Sequence, residues 1–308
     1  MSLRVYYCDH YAIPLPAGHK FPITKYRQLR EMLAADGRFD LQPAKPADPR
    51  VIALAHDAEY VEKFLSGAIE PAKMRRIGFP WSEGLVQRTL ASAGGTLAAT
   101  GDALTKGIGA TLSGGTHHAF REEGSGFCVF NDVAIAIHWL RSQGETGRFA
   151  VVDLDVHQGD GTAHFFEHDP QVLTLSVHGA NNFPFRKQRS RIDVELADGT
   201  GDEEYLRALD AVLPRVWEFS PRLIFYLSGV DALAADKLGR LSLTHQGLKL
   251  RDRRVIEKAH ERGAPLVITL GGGYANPIEH TVEAHANTFR TAAEIFGIKS
   301  TDNPHRKL

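Results

Sequence analysis

FAVVDLDVHQGDG, residues 149–161, runs from an unbroken apolar stretch straight into a cluster of carboxylates and an imidazole. A short, β-branched apolar run that does not alternate with polar residues is a strand covered on both faces, as in the parallel sheets of α/β proteins. Comparable runs occur at 3–7, 110–112, 172–177, 223–227 and 266–270, alongside 149–155 itself. Segments of helical period separate them, most clearly at 82–104, 133–143, 203–218 and 244–262, where Ser82 with Glu83 and Thr244 with Gln246 suit helix starts. The alternation predicts a three-layer α/β architecture, a mainly parallel sheet with helices on both faces. No linker or repeat divides the chain, and the Pro-rich stretch 41–49 reads as a surface loop, so residues 1–308 are expected to form one domain.

Composition narrows the function by exclusion. Lys+Arg total 36 against Asp+Glu 37, a formal net charge of -1, so no global field draws the chain to nucleic acid or to an anionic membrane. Cys8 and Cys128 lie far apart without CxxC spacing, which argues against a disulfide framework or a thiolate metal site and suits a reducing compartment. Without a basic-then-apolar leader or an apolar run near the ~18 residues that span a bilayer, a cytoplasmic protein is expected.

The unusual polar residues fall directly after apolar strands: GGTHHA (114–119), DLDVHQGDG (153–161), SVH (176–178), SGVD (228–231) and GGGY (271–274). Open α/β sheets bind ligands beyond the carboxyl ends of their strands, so these segments are expected to share one rim. A strand period of two sets Asp153, Asp155 and His157 on one face, and a carboxylate with a neutral imidazole suits Zn²⁺, whose catalytic sites take three protein ligands. The third ligand must come from elsewhere. Asp231 is the candidate, with a helix cap as the competing reading.

His117 and His118 offer a general base and an electrostatic partner, against the plainer reading of solvent-facing imidazoles in a turn. Asp153 and Asp160 would then fix their tautomers. Tyr274 stands after Gly271, Gly272 and Gly273, which would give its loop freedom to bring the hydroxyl to a scissile carbonyl. A phosphate-binding GxGxxG reading is weaker there, since Pro277 stands where a helix should start and the fingerprint spacing is lacking. Cys128 reads as a small buried hydrophobe, and the basic cluster Arg186, Lys187, Arg189 and Arg191 as a solvated loop without a role.

Taken in order, GGTHHA, GFCVFND, DLDVHQGDG, SGVD and LGGGY resemble the motif set of the histone deacetylase superfamily over nearly the whole chain. RSRIDVELADGTGDEEYL followed by DKLGRLSLT is most similar to its class IV branch and to bacterial histone deacetylase-like amidohydrolases. The resemblance implies an arginase/deacetylase fold with a sheet of about eight strands and a narrow tunnel walled by Phe127 and Phe183, whose plain alternative is as core aromatics. It implies Asp155, His157 and Asp231 as ligands of one Zn²⁺ per chain, His118 as general base and acid, His117 as its electrostatic partner and Tyr274 as the carbonyl polariser. It further implies a structural K⁺ at Asp153, Asp155, His157, Ser176 and Val177, and a second monovalent site near Phe166, Asp169, Val172 and Tyr205.

The expected activity is removal of an acetyl or longer acyl group from acyl-lysine, with acetylpolyamines and small N-acyl metabolites as alternative substrates. A binuclear amidinohydrolase would want a further carboxylate two residues past the DxH, where Gly159 stands. A catalytically silent acyl-ligand binder is disfavoured because every catalytic position carries a competent residue. Acyl length and oligomeric state are not written in these motifs.

Overall fold

The computed structural model describes residues 2–300, so the outer ends of the single-domain expectation, Met1 and 301–308, lie outside the described residues. The strands are β1 (Leu3–Tyr7), β2 (Phe39–Pro43), β3 (Ile108–Thr111), β4 (Phe149–Asp153), β5 (Val172–Gly179), β6 (Ile192–Leu196), β7 (Leu223–Leu227) and β8 (Leu266–Thr269). The helices are α1 (Thr24–Asp36), α2 (Pro49–Ile52), α3 (Ala58–Ser66), α4 (Pro71–Ile77), α5 (Glu83–Lys106), α6 (Asp132–Ser142), α7 (Asp160–Phe166), α8 (Asp202–Glu218), α9 (His245–Glu261) and α10 (Glu279–Ile295). All eight strands pair in parallel, in the order β2-β1-β3-β8-β7-β4-β5-β6.

The non-alternating runs have the cause expected of them. Ala150 and Val152 of β4, with Ile224 and Tyr226 of β7, pack into a core that also takes Leu29, Leu209, Val255 and Phe289 from α1, α8, α9 and α10. Their neighbours Phe149, Val151, Leu223 and Phe225 point the other way, into a second core with Phe64, Leu90 and Ile137 from α3, α5 and α6. Each central strand is thus covered on both faces, and the three-layer expectation holds. Ser82 Oγ accepts from the Leu85 N–H and Thr244 Oγ1 from the Gly247 N–H, so both expected helix starts are real caps.

The sheet differs from the sequence reading at its edges and at one strand end. β2 and β6 were not expected, because FDLQP and IDVEL are edge strands that keep part of their surface in water and lack a continuous apolar run. Residues 41–43 of the Pro-rich stretch therefore belong to β2 rather than to a surface loop. β4 ends at Asp153, not at residue 155, so Asp155 and His157 stand in the following turn. Among the described residues no helix is long and apolar enough to cross a membrane.

A buried histidine ties the second core to α6. His56 Nε2 accepts from the Asn131 N–H at 2.8 Å, leaving Nδ1 to donate to the Arg121 carbonyl at 3.3 Å. Burial pushes its pKa down to about 3. Between that value and the ~6.5 of an unfolded imidazole the native state binds fewer protons than the unfolded chain, so stability is complete above that window and falls as the pH drops into it. His56 alone is expected to remove about 2 kcal/mol on going from about pH 7.5 to about pH 5. Urea denaturation at both pH values should show that His56→Asn, which keeps a donor and an acceptor, shrinks the pH difference by roughly that amount.

Candidate active site

The four central strands β3, β8, β7 and β4 lie side by side, and because all are parallel their carboxyl ends open on one edge. GGTHHA follows β3, GGGY follows β8, SGVD follows β7, and the turn at 154–161 follows β4. Adjacency in the sheet therefore brings together segments that are remote in the chain.

Asp155, His157 and Asp231 offer ligand atoms that all lie within 4.8 Å of one another, and all three are buried. His157 Nδ1 is 3.0 Å from Asp155 Oδ1 and 3.1 Å from Asp231 Oδ2. The other oxygen of each carboxylate is held by backbone: Asp155 Oδ2 accepts from the Gly272 N–H at 2.6 Å, and Asp231 Oδ1 from the Val156 N–H at 2.9 Å. Asp155 and His157 converge through a turn, in which Asp155 Oδ1 accepts from the His157 N–H at 3.0 Å, and not through the strand period. Asp231 caps no helix, since its side chain is bonded to Val156 across the site.

His117 Nδ1 lies 2.7 Å from Asp153 Oδ2, and His118 Nδ1 lies 2.6 Å from Asp160 Oδ1. Each carboxylate fixes the tautomer, leaving Nε2 of His117 4.0 Å from Asp155 Oδ1 and Nε2 of His118 for the cavity. Their environments drive the two rings apart. Burial would lower His117, but the charges of Asp153 and Asp155 outweigh it and hold the ring at about 9. Burial and the neighbouring His117 charge push His118 down to about 4. One imidazole is thus cationic and the other neutral at neutral pH, a division that suits an electrostatic stabiliser beside a base.

Around the ligand cluster negative charge is in excess. Burial and the Asp155 charge raise Asp231 to about 7, while the two carboxylates overcome the burial of His157 and hold its ring at about 10. The proton on His157 stands where a cation would neutralise the same oxygens, so the donor set fits a divalent ion.

Gly271 and Gly272 serve this cluster by their size. A Cβ on Gly272 would collide with Asp231 Oδ2, and one on Gly271 would come 2.7 Å from Asp155 Oδ2. Close approach, not the loop freedom expected of these residues, is what they provide. Gly272→Ala is expected to cost about 1–3 kcal/mol of stability and to weaken metal retention, read as a lowered Tm and metal content. Conformation matters instead at Gly114 and Gly115, with φ of 78° and 68°, where the backbone turns to present the histidine pair.

These groups face a cavity of about 970 Å³ lined by His117, His118, Asp155, Tyr274, Phe127 and Phe183. Phe183 stands edge-on to His118 at 4.9 Å between ring centroids, and Phe127 lies 6.3 Å from Tyr274. Phe127 has φ 65°, a strained conformation for a bulky residue, which sets it apart from an ordinary core aromatic. Burial holds the Tyr274 phenol well above its usual range, so it remains a proton donor. Of the residues expected at a monovalent site, Asp153, Ser176 and Val177 are buried where β4 pairs with β5.

Sequence reasoning missed the residues that hold the loops. Asp132 accepts from the N–H groups of Gly115 and Thr116, at 3.1 and 2.8 Å, and so pins the loop before the histidines. Its only signal was the ND pair at a helix start. Buried Arg251 donates to the Leu154 and Gly229 carbonyls, at 3.1 and 2.6 Å, tying the turns after β4 and β7 together. Lys25, also buried, donates to the Gly271 carbonyl at 3.2 Å beneath the Tyr274 loop. Both cations belong to residue types that are ordinarily solvated, so nothing in the chain pointed to them.

A water made nucleophilic by a neutral histidine, next to a donor for a carbonyl oxygen, is the chemistry of a hydrolytic deacetylase. The chain belongs to the histone deacetylase family, whose domain model matches residues 19–289. It is 41% identical over 302 residues to an uncharacterized protein of Picosynechococcus sp., covering 96% of this chain and 100% of that one. It is 32% identical to Histone deacetylase 2 of Arabidopsis thaliana (83% of this chain, 70% of the relative). It is likewise 32% identical to the histone deacetylase-like amidohydrolase of Pseudomonas aeruginosa (85% and 74%). Among solved structures, the acetylpolyamine aminohydrolase of Burkholderia pseudomallei superposes with a TM-score of 0.80 at 21% identity, over 96% of this chain and 99% of that one. The HD domain of HDA15 does so with 0.79 at 22%, over 97% and 90%. At such identities these two likenesses speak for the arginase/deacetylase type of fold alone.

Proposed function

We propose that this chain is a zinc-dependent amidohydrolase that removes an acetyl or longer acyl group from an acylated amine, acyl-lysine first among them, and that 1–308 form one cytoplasmic catalytic domain. The observation that carries the reading is the buried Asp155–His157–Asp231 cluster, within 4.8 Å, set beside two carboxylate-backed histidines. Asp155, His157 and Asp231 would hold one Zn²⁺, with Gly159 where a second metal would want a carboxylate. When bound, the ion supplies a Lewis acid that activates water and polarises the carbonyl.

The chain's own groups do the rest. His118, neutral at working pH, takes a proton from the attacking water and later gives it to the departing amine nitrogen. His117, cationic through Asp153, stabilises the negative charge that gathers in the site. The Tyr274 hydroxyl donates to the amide oxygen as it becomes an oxyanion. Phe127 and Phe183 wall the passage and limit the reacting atoms' contact with bulk solvent beyond the attacking water. A structural K⁺ held by Asp153, by carbonyls of Asp155 and His157, and by Ser176 and Val177 is proposed to stiffen the sheet edge below, with a second monovalent site near Phe166, Asp169, Val172 and Tyr205.

The test is an assay of the zinc-loaded protein against acyl-lysine peptides of graded chain length, acetylated polyamines and small N-acyl amines. Turnover should follow metal content, vanish on chelation and return with about one equivalent of Zn²⁺. Turnover that survives complete removal of metal sinks the proposal, and a metal-loaded protein that turns over none of these substrates leaves the acyl-ligand binder in its place.

A further inference from the structure

Of the basic cluster that the sequence left without a role, Arg186 lies at the mouth of the cavity. Residues 181–191, NNFPFRKQRSR, follow β5 and contain no acid, and Phe183, Phe185, Arg186 and Gln188 all line the cavity. The segment is a loop with Arg186 and Arg189 exposed, as expected, and its backbone is anchored. Gln158, buried in the turn after β4, donates to the Gln188 carbonyl and accepts from the Gln188 N–H, both at 2.8 Å. The Ser190 N–H is held by Asp193 at 2.8 Å, and Lys187 Nζ donates to the Pro184 carbonyl at 2.7 Å. The loop is therefore fixed to the same turn that carries His157, and ordering it on substrate binding costs little.

Charge at this mouth is unevenly satisfied. Arg76 is paired with Glu123 at 2.7 Å, and Arg240 with Asp198 at 3.2 Å. Among the described residues Arg186 has neither an ion pair nor a hydrogen bond, and it is exposed. Beside it Phe185 is 85% exposed, the largest exposure among the bulky apolar side chains of the described residues. An unpaired guanidinium and an open aromatic ring on consecutive residues of a backbone-anchored segment, both lining the cavity, suit a substrate that is anionic on its amine side.

We propose that Arg186 selects acylated amines carrying a carboxylate near the scissile group, such as an acyl-lysine peptide with an acidic neighbour, and disfavours polycationic acylpolyamines, while Phe185 adds a contact that does not depend on charge. This rests on the amidohydrolase reading for the cavity but concerns a different part of it. Arg186 contacts the carboxylate and sets KM, while Phe185 packs on the adjoining apolar segment and acts on all peptides alike.

The experiment compares kcat/KM of the zinc-loaded protein for acetyl-lysine peptides flanked by Glu, Gln or Lys and for N-acetylspermidine, at about 20 mM and about 500 mM salt. The Glu peptide should be preferred over the Lys peptide by about 3- to 10-fold at low salt, the preference lying in KM and shrinking at high salt. Arg186→Glu should reverse the order, with the change lying in KM. Phe185→Ala should raise KM for all three without changing their order. The same peptides are also ranked by fluorescence anisotropy on the slow Tyr274→Phe variant. Turnover with no charge preference, or a preference that Arg186→Glu does not move, overturns the proposal while the amidohydrolase reading stands. Anisotropy that ranks the Glu peptide first on a protein that hydrolyses none of them upholds the rim and removes the amidohydrolase.

Discussion

Asp231→Ala is expected to leave the protein with less than about a tenth of an equivalent of zinc and with turnover below about 10⁻³ of the parent, because a three-ligand site reduced to two does not retain the ion. Asp231 is fully buried, and Oδ2, 3.1 Å from His157 Nδ1, is the oxygen turned toward the cluster. Oδ1 meanwhile satisfies the Val156 N–H. The Ala variant loses both, and the orphaned N–H costs about 1–3 kcal/mol of stability. Asp231→Asn separates the effects, since its amide oxygen can still accept from Val156 while the anionic ligand is gone. Metal analysis with thermal unfolding decides the matter, and a full equivalent of zinc with normal turnover in Asp231→Ala ends the ligand assignment.

Tyr274→Phe should lower kcat by about 10²- to 10³-fold, with zinc content unchanged and KM little altered. The loss falls on kcat because the hydroxyl is proposed to bind most tightly when the amide oxygen carries charge. Loop geometry should survive, since the Tyr274 N–H donates to Asp236 Oδ2 at 2.6 Å through backbone. Burial keeps the phenol protonated across the working range, so the pH profile of the residual activity should match the parent's. A decrease of less than about 5-fold in kcat would assign the oxyanion to other donors.

Much of this site was legible before the fold. Asp155 and His157 in DLDVH, the His117–His118 pair, and Tyr274 after its glycines announced themselves because charge and imidazole beside buried apolar strands need a reason to be there. Glycine was legible as a residue but not as a cause: Gly272 exists so that Asp231 can approach, which no reading of a Gly-rich turn supplies. The edge strands β2 and β6 escaped because half-exposed strands carry no long apolar signature. The buried cations Lys25 and Arg251 escaped because most residues of their kind are solvated, and only the carbonyls they meet make their burial tolerable.

From the chain alone came the strand-and-helix alternation, hence a parallel sheet covered on both faces, and the residue types able to bind a metal and move a proton. These are local properties of short segments, set by apolar periodicity and by side-chain chemistry. The order of the strands, the turn that bends His157 back onto Asp155, the partner chosen by each histidine, and the place of the Arg186 loop at the mouth were decided only in three dimensions. Each depends on contacts between residues far apart in the chain, whose energies exist only once the sheet has brought β3, β8, β7 and β4 together.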